Sequence, residues 1–390
     1  MSPPSPTPKL FQPIKVGNIT LQHRVALAPL TRFRAAKKTH IHTVSLAKTY
    51  YSQRGSTPGT LLITEATFIA AQAGGYDNVP GIWSDEQVEA WKEIVAGVHA
   101  AGSFIYLQLW AIGRAASEAT LSEDGFPYVA PSPIPLSTHP KTIPRELTHN
   151  EIQEYVQLYA QAAKNAVHGA GFDGVEIHGA NGYLIDQFLQ DVSNKRTDSY
   201  GGSVENRSRF GLQVVDAVVE AVGAEKVGIR LSPWSEFQDM KMENPIPQYS
   251  HFVSSIRESH PNFSYIHLVE PRAAGNEGPR QSEDATGSYN DTEKESNDFI
   301  RKIWLPKPLI TAGGYTRHTA LKRAEESEGE LIAFGRDFIA NPDLPLRIKH
   351  DIPFTPYDRD TFYVPAEKEG TEKGYIDYPF ADLEKTEAKQ

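Results

Sequence analysis

The chain has 390 residues, of which 39% are hydrophobic, so it can bury a large core and is not compositionally disordered. It contains no cysteine, which excludes disulfides, thiolate nucleophiles, iron–sulfur clusters and cysteine-ligated zinc. The formal net charge of −10 argues against nucleic acid or an anionic membrane as the main partner, because binding phosphates requires a basic face.

Short apolar runs rich in β-branched residues follow one another along the chain and predict β-strands. The eight runs lie at 24–30, 61–69, 103–110, 174–180, 227–233, 264–271, 308–314 and 331–339. Helical patterns separate them. Residues 148–170 repeat apolar side chains at helical spacing, and Thr148 with Glu151 has the spacing of a capping box. Ser84 and Gln87 have the same spacing ahead of another helix. A third helical face is predicted from Phe210, Val214, Ala217 and Ala221.

This alternation predicts a parallel sheet covered by helices, and eight units are the number that closes a (β/α)8 TIM barrel. A doubly wound open sheet is the alternative, but no G-x-G-x-x-G follows an early strand. We therefore interpret 1–390 as a single α/β TIM-barrel domain. Insertions at 111–147 and 272–296 are expected to cap the barrel mouth, and 351–390 to form a partly docked tail.

Polar side chains lie at the C-terminal ends of several predicted strands, where bulky aliphatic residues would fill a plain barrel. They are Thr31, Gln108, Trp110, Glu176, His178 and Arg230. Any one of them is as easily a satisfied core polar group. Together they predict a pocket with an amide, a hydroxyl and a guanidinium, which suits a flat heteroaromatic ring with carbonyls and ring nitrogens.

The last two predicted strands end in Gly313-Gly314 and in Gly335-Arg336. A pair of glycines is more often just a turn. Barrels, however, often bind phosphate through these two loops, where backbone N–H groups approach closely and an arginine adds charge. A phosphate beside a flat polar ring suggests a flavin mononucleotide.

The fourth strand continues into His178, Asn181 and Tyr183. His178 and Asn181 can both donate hydrogen bonds to one oxygen, and Tyr183 offers a phenolic proton. Each alone is more often structural, but the trio predicts a site that polarises a carbonyl and then protonates a carbon.

Longer motifs occur in order along the chain: APLTRFRA, TEATFIAAQAGGYDNVPGIW, QLWAIGR, GFDGVEIHGANGYLIDQFLQDVSNKRTDSYGGSVENRSRF, GIRLSPW, HLVEPR, ITAGGYT, IAFGRDFIANPDL, YDRDTFY and GYIDYPF. In order and spacing they resemble the old yellow enzyme family of FMN-dependent ene-reductases over nearly the whole chain. Thr31 stands where another branch of the family has cysteine, which indicates the threonine-type subgroup that includes fungal members.

The resemblance implies roles for individual residues. Contacts to the flavin ring or ribityl chain fall to Pro29, Thr31, Ala66, Gln108 and Arg230. The phosphate region falls to Gly313, Gly314, Gly335 and Arg336. His178 and Asn181 would bind the substrate's activating oxygen, and Tyr183 would donate the proton. The substrate pocket would be lined by Tyr76, Trp110, Phe237 and Tyr363. The chain departs from the family at Ala66, where glycine is frequent, and 272–296 do not match.

The activity implied is reduction of the C=C bond of α,β-unsaturated carbonyl and nitro compounds. NADPH would reduce a tightly but non-covalently bound FMN, and the alkene would then enter the same pocket. No metal is expected. Two rivals are a barrel aldolase or lyase, which needs a Schiff-base lysine or a metal cluster, and a flavin-binding protein without turnover.

The chain carries no apolar run near the roughly 18 residues of a membrane span and no secretory signal pattern, so a cytoplasmic location is expected. We expect a monomer or a homodimer.

Overall fold

A computed structural model describes residues 6–273 and 295–382 of the chain. Its strands are β1 Ile14–Val16, β2 Ile19–Leu21, β3 Val25–Leu27, β4 Leu61–Ile63, β5 Thr67–Phe68, β6 Phe104–Trp110, β7 Val129–Ala130, β8 Arg145–Glu146, β9 Gly174–Gly179, β10 Val227–Leu231, β11 Tyr265–Val269, β12 Leu309–Ala312 and β13 Glu330–Phe334. Its α-helices are α1 Val44–Arg54, α2 Asp85–Ala100, α3 Glu118–Glu123, α4 His149–Lys164, α5 Leu184–Leu189, α6 Val204–Val222, α7 Ile246–Ser259, α8 Asp298–Trp304, α9 Arg317–Glu325, α10 Arg336–Ala340 and α11 Leu344–His350.

Eight parallel strands close into a barrel in the order β3, β4, β6, β9, β10, β11, β12 and β13, and β13 pairs again with β3. A helix follows each strand before the next strand of the barrel begins. Every strand expected from the sequence is present, so the (β/α)8 TIM barrel is confirmed and the doubly wound open sheet is excluded.

Each barrel strand is shorter than the run that predicted it, and the difference has a structural reason in two of them. The run 61–69 divides into β4 and β5, because the hydroxyls of Thr64 and Thr67 both donate to the Glu65 carbonyl and locally replace the ladder. The run 331–339 ends at Phe334, and its second half is helix α10. A short apolar run fits a strand or a buried helix equally well, so periodicity alone does not separate the two.

The helix starts follow the predicted capping chemistry. Ser84 with Gln87 and Thr148 with Glu151 both form complete capping boxes, at α2 and α4. The chain continues beyond α4 as a π-helix over Asn165–Ala170. On α6, Ala217 and Ala221 are half-buried, and the buried face is completed instead by Val215, Val218 and Val222.

The barrel interior is filled from its N-terminal end by an apolar layer that includes Tyr106, Tyr265 and Ile310. The β1–β2 hairpin packs against this layer through Val16, Ile19 and Leu21. A larger cluster fills the space between barrel and helices. The N-terminal end of the barrel is thus closed, and polar chemistry is left to the C-terminal mouth.

The tail is fixed by buried arginines that the sequence analysis did not single out. Arg34 donates to the carbonyls of Thr361, Phe362 and Thr371 at 3.0–3.1 Å. Arg32 donates to Phe362 at 3.2 Å and to Gly374 at 2.8 Å.

Tyr375 in the tail stacks on Tyr50 of α1, with ring centroids 4.3 Å apart. Of the expected cap segment 272–296, residues 274–294 lie outside the described residues. None of the helices in the described ranges is long and apolar enough to cross a membrane.

Candidate active site

A cavity of about 680 Å³ lies at the C-terminal mouth of the barrel. The predicted site residues that line it are Pro29, Thr31, Tyr76, Trp110, Asn181, Tyr183, Arg230, Phe237, Gly313, Gly314, Gly335, Arg336 and Tyr363. Three other predicted residues, Ala66, Gln108 and His178, are buried beside this lining with 4%, 1% and 3% of their surface exposed. The structure thus brings together groups spread from residue 29 to residue 363.

Aromatic rings form one wall of the cavity around Trp110. The Tyr183 ring meets Trp110 edge-on at 4.7 Å between centroids, and the His178 ring lies nearly parallel to it at 6.1 Å. Tyr76 meets Trp110 edge-on at 5.8 Å, and its hydroxyl donates to the Ala115 carbonyl at 2.6 Å. Ala66 packs in the same cluster. Such packing fixes the ring orientations before any ligand arrives.

The imidazole of His178 is held in one tautomer. The backbone N–H of Ala180 donates to His178 Nδ1 at 3.3 Å, so the ring proton must reside on Nε2. Burial, with the charge of Arg230 and the proximity of His267, holds the pKa of His178 well below its usual range. His178 is therefore a neutral N–H donor at physiological pH.

Asn181 occupies the left-handed region with φ +58°, which asparagine tolerates better than most residues. Its backbone is fixed on both sides. Its N–H donates to Ser232 Oγ at 2.7 Å, and its carbonyl accepts from Gln238 Nε2 at 2.8 Å. These bonds set the position from which its side-chain amide meets the cavity.

Burial raises the pKa of Tyr183 well above its usual value, and the neighbouring Tyr76 raises it further. A phenol with a raised pKa stays protonated at neutral pH. Tyr183 also stands at the N-terminal boundary of α5, where Gln187 N–H donates to its carbonyl at 2.8 Å. Its hydroxyl is thus available as a proton source on a fixed backbone.

The hydrogen bonding of Arg230 bears on whether the cavity suits a flavin. Its Nε is buried, and no described residue accepts a hydrogen bond from it. Burying a guanidinium nitrogen without a hydrogen bond costs free energy, so we expect a ligand to supply an acceptor next to Arg230 Nε. A ring carbonyl or ring nitrogen supplies one. The donor set of the cavity thus fits the pyrimidine edge of an isoalloxazine.

The glycine loops in the cavity lining suit a phosphate. Gly313 and Gly314 have φ of +145° and +66°, and a Cβ at Gly313 would lie 2.9 Å from Glu270 Cβ. Only glycine fits at Gly313 without a shift of Glu270, and two successive glycines leave no side chain of their own between this turn and a ligand. Arg336 adds charge from the start of α10 and lies 5.8 Å from the ring of Tyr357.

Sequence reasoning missed Phe33, which lines the cavity. Its φ of +58° is unusual for a bulky residue, and its ring meets Tyr363 edge-on at 5.7 Å. Arg32 and Arg34 on either side are directed to the tail by their hydrogen bonds. The sequence carried no clear signal for Phe33, because the direction of its side chain depends on the left-handed backbone at that residue.

The family description that matches the chain is NADH:flavin oxidoreductase / NADH oxidase, over residues 9–354. An Aspergillus flavus protein named NADP-dependent oxidoreductase lnbE is 49% identical and covers 96% of this chain and 97% of its own length. The Penicillium roqueforti chanoclavine-I aldehyde reductase fgaOx3 is also 49% identical, over 96% of both chains. A 47% identical protein of Epichloe festucae var. lolii, covering 98% of both chains, is named a probable inactive reductase, easA.

Among solved structures, Old Yellow Enzyme from Pichia sp. AKU4542 superposes with a TM-score of 0.85 at 40% identity. The similarity covers 96% of this chain and 94% of that chain. Identity and coverage at this level extend well beyond a shared barrel. The chain therefore belongs to the NADH:flavin oxidoreductase / NADH oxidase family, in its old yellow enzyme branch, and is a flavin-dependent oxidoreductase.

Proposed function

We propose that this protein is an FMN-dependent ene-reductase that uses NADPH to reduce the C=C bond of α,β-unsaturated carbonyl and nitro compounds. One observation carries the proposal. Asn181 and protonated Tyr183 line the same cavity as Arg230, whose Nε has no acceptor among the described residues, and neutral His178 packs against Tyr183 with ring centroids 4.9 Å apart. The relatives named NADP-dependent oxidoreductase and aldehyde reductase support the coenzyme and a carbonyl-bearing substrate.

Pro29, Thr31, Ala66, Gln108 and Arg230 would hold the flavin ring, and Gly313, Gly314, Gly335 and Arg336 its phosphate. When bound, FMN supplies hydride transfer, first from NADPH and then to the alkene. Arg230 keeps a positive charge at the ring and stabilises added negative charge there.

His178 Nε2–H and the Asn181 amide would donate to the substrate's carbonyl or nitro oxygen. These two donors stabilise the negative charge that develops on that oxygen as the β-carbon is reduced. Tyr183 would then give its proton to the α-carbon. The donors are placed in advance by Ala180, Ser232 and Gln238, so little reorganisation is needed.

The described lining of the cavity contains no lysine, which speaks against a Schiff-base aldolase. The function itself is tested anaerobically with the purified protein. NADPH should bleach the flavin absorbance, and cyclohexenone should restore it with formation of cyclohexanone. A flavin that NADPH bleaches but that no enone, maleimide or nitroalkene reoxidises would leave only a flavin-binding protein.

We expect about one FMN per chain on denaturation, since Arg336 and the two glycine loops suit a monophosphate. Replacing Arg336 by alanine should weaken FMN retention at least about tenfold through the lost charge, with the barrel still folded. Dialysis followed by flavin fluorescence of the filtrate measures this loss. Arg209→Ala, on the exposed side of α6, is the control. Release of FAD, or unchanged retention in the Arg336 variant, would contradict the phosphate assignment.

Phenolates should bind over the oxidised flavin, because His178 and Asn181 offer two donors to one anionic oxygen. A long-wavelength charge-transfer band is expected with p-hydroxybenzaldehyde. The double variant His178→Ala with Asn181→Ala should lose the band or weaken it severely. A titration followed by absorbance measures both. A band of full strength in the double variant would place the oxygen site elsewhere.

A further inference from the structure

Beneath the cavity, the barrel interior carries a layer of polar residues that the proposed mechanism does not use. Glu176 and His267 have no exposed surface, and Gln108 is 1% exposed. The strand register places Gln108 beside Glu176, and Arg230 beside His267. Gln108 and His267 lie two residues beyond the apolar-layer residues Tyr106 and Tyr265 on the same strands, and therefore one layer nearer the C-terminal mouth. Burying an ionisable group such as Glu176 this deeply costs free energy unless hydrogen bonds compensate for the lost water.

Both oxygens of Glu176 are engaged. Oε1 accepts from Gln108 Nε2 at 2.7 Å, and Oε2 accepts from His267 Nδ1 at 2.8 Å. Burial alone would raise the pKa of Glu176, but His267, Arg230 and the bond from Gln108 outweigh burial and lower it. Glu176 is therefore an ionised carboxylate, and an ionised carboxylate only accepts hydrogen bonds.

This fixes the orientation of the Gln108 amide. If the amide were turned over, its oxygen would face a carboxylate oxygen, and two buried acceptors would repel each other. Among the described residues, the Gln108 side chain makes one hydrogen bond, from Nε2 to Glu176 Oε1, so its oxygen and its second N–H are left over. The side chain thus presents an acceptor next to a donor.

We propose that Glu176 is a positioning residue that fixes the Gln108 amide so that it recognises a lactam edge, –CO–NH–, of the bound ring. The inference rests on the proposed function, in which Gln108 contacts the flavin. An acceptor and a donor side by side pair with an N–H and its adjacent carbonyl, which is what the N3–H and a neighbouring carbonyl of an isoalloxazine offer. His267 holds the second carboxylate oxygen and so prevents the carboxylate from turning.

The test compares FMN with its 3-deaza analogue, in which C–H replaces N3–H at nearly the same size. Dissociation constants come from flavin fluorescence with the protein freed of flavin and reloaded. The wild type should prefer FMN by about 100-fold or more, because a site built to accept an N–H rejects an isostere without one. Glu176→Gln should reduce this preference below about tenfold, since a glutamine there accepts or donates and permits both amide orientations.

Two controls separate orientation from damage. Glu330 on β13 is nearly as deeply buried as Glu176, but it accepts from Arg301 at 3.0 Å and does not contact Gln108. The variant Glu330→Gln should therefore keep the full preference for FMN. Gln108→Ala should remove the preference, and adding Glu176→Gln to it should change the preference by less than about threefold. An equal effect of Glu176→Gln with and without Gln108 would overturn the proposal.

If Glu176→Gln does not fold, Glu176→Asp takes its place, because the shorter carboxylate no longer reaches the Gln108 amide at 2.7 Å, and an unchanged preference for FMN in that variant would overturn the proposal. A preference that survives Gln108→Ala would overturn it as well, since the amide would then not recognise the ring. The outcomes also separate this inference from the proposed function. A wild type that binds no flavin refutes both. A wild type that reduces enones with FMN, while Glu176→Gln keeps the full preference, refutes only the role of Glu176.

Discussion

Replacement of Tyr183 by phenylalanine is expected to slow the alkene half-reaction by about 100-fold or more, because it removes the one proton placed for the α-carbon. The ring contacts with Trp110 and His178 remain, so the cavity keeps its shape. Reduction of the flavin by NADPH does not use that proton and should stay within about threefold of wild type. Stopped-flow absorbance of the flavin follows the two half-reactions separately, with cyclohexenone as oxidant.

Tyr76→Phe is the matched control. Tyr76 lines the same cavity, but its hydroxyl is committed to the Ala115 carbonyl, so both half-reactions should change little. Nitroalkenes provide a second check on Tyr183→Phe. Their nitronate product is stable enough to leave and be protonated in solution, so they should be slowed less than enones. Equal slowing of both half-reactions would indicate a distorted pocket, and unchanged reoxidation would remove Tyr183 from the mechanism.

Replacement of Arg34 by methionine is expected to lower the free energy of unfolding by about 2–4 kcal/mol, because a buried carbonyl left without its donor costs about 1–3 kcal/mol and hydrogen bonds from a charged donor contribute about 1.5–3 kcal/mol. Three tail carbonyls would lose a donor, from Thr361, Phe362 and Thr371. Urea unfolding measures the loss, and limited proteolysis should cut the tail first. Because Tyr363 follows Phe362 directly and lines the cavity, turnover should fall as well.

Arg317→Met is the comparison at the surface. Arg317 pairs with Asp351 at 3.2 Å with 36% of its side chain exposed, and such pairs contribute at most about 1 kcal/mol. If Arg34→Met costs no more than Arg317→Met, the tail is held by its aromatic packing and not by the arginines.

The sequence was sufficient to predict the barrel, because each strand is a short apolar run and each intervening helix carries its own amphipathic or capping signal. It was also sufficient to predict that the chosen polar residues lie in or beside one cavity, since a parallel barrel brings all strand ends to one mouth, but it missed Phe33. The role of Arg32 and Arg34 was not predictable in this way. Their partners are backbone carbonyls, which have no sequence signature.

The contacts of Glu176 could not be predicted for a different reason. Its presence on β9 was visible, but not its choice of partners, because the inward direction of Gln108 and His267 depends on strand register. The early end of β4 could not be predicted either. The hydroxyls of Thr64 and Thr67 bond to the Glu65 carbonyl in place of a strand-to-strand hydrogen bond, and this happens only in the folded geometry. The fold could thus be predicted from the sequence, whereas polar contacts between residues far apart in the sequence could not.

The bonds from Arg34 to the tail also bear on the order in which the molecule assembles. The bond to Thr371 joins residues 337 apart in sequence, and the pairing of β13 with β3 that closes the barrel already spans most of that separation, so the tail docks most easily once the barrel has closed. Until then two guanidiniums remain in water beside Phe33, and the rim of the cavity lacks Tyr363. The barrel can therefore form before its active site is complete, and an intermediate with a finished sheet but an open, poorly selective mouth is the expected precursor of the native enzyme.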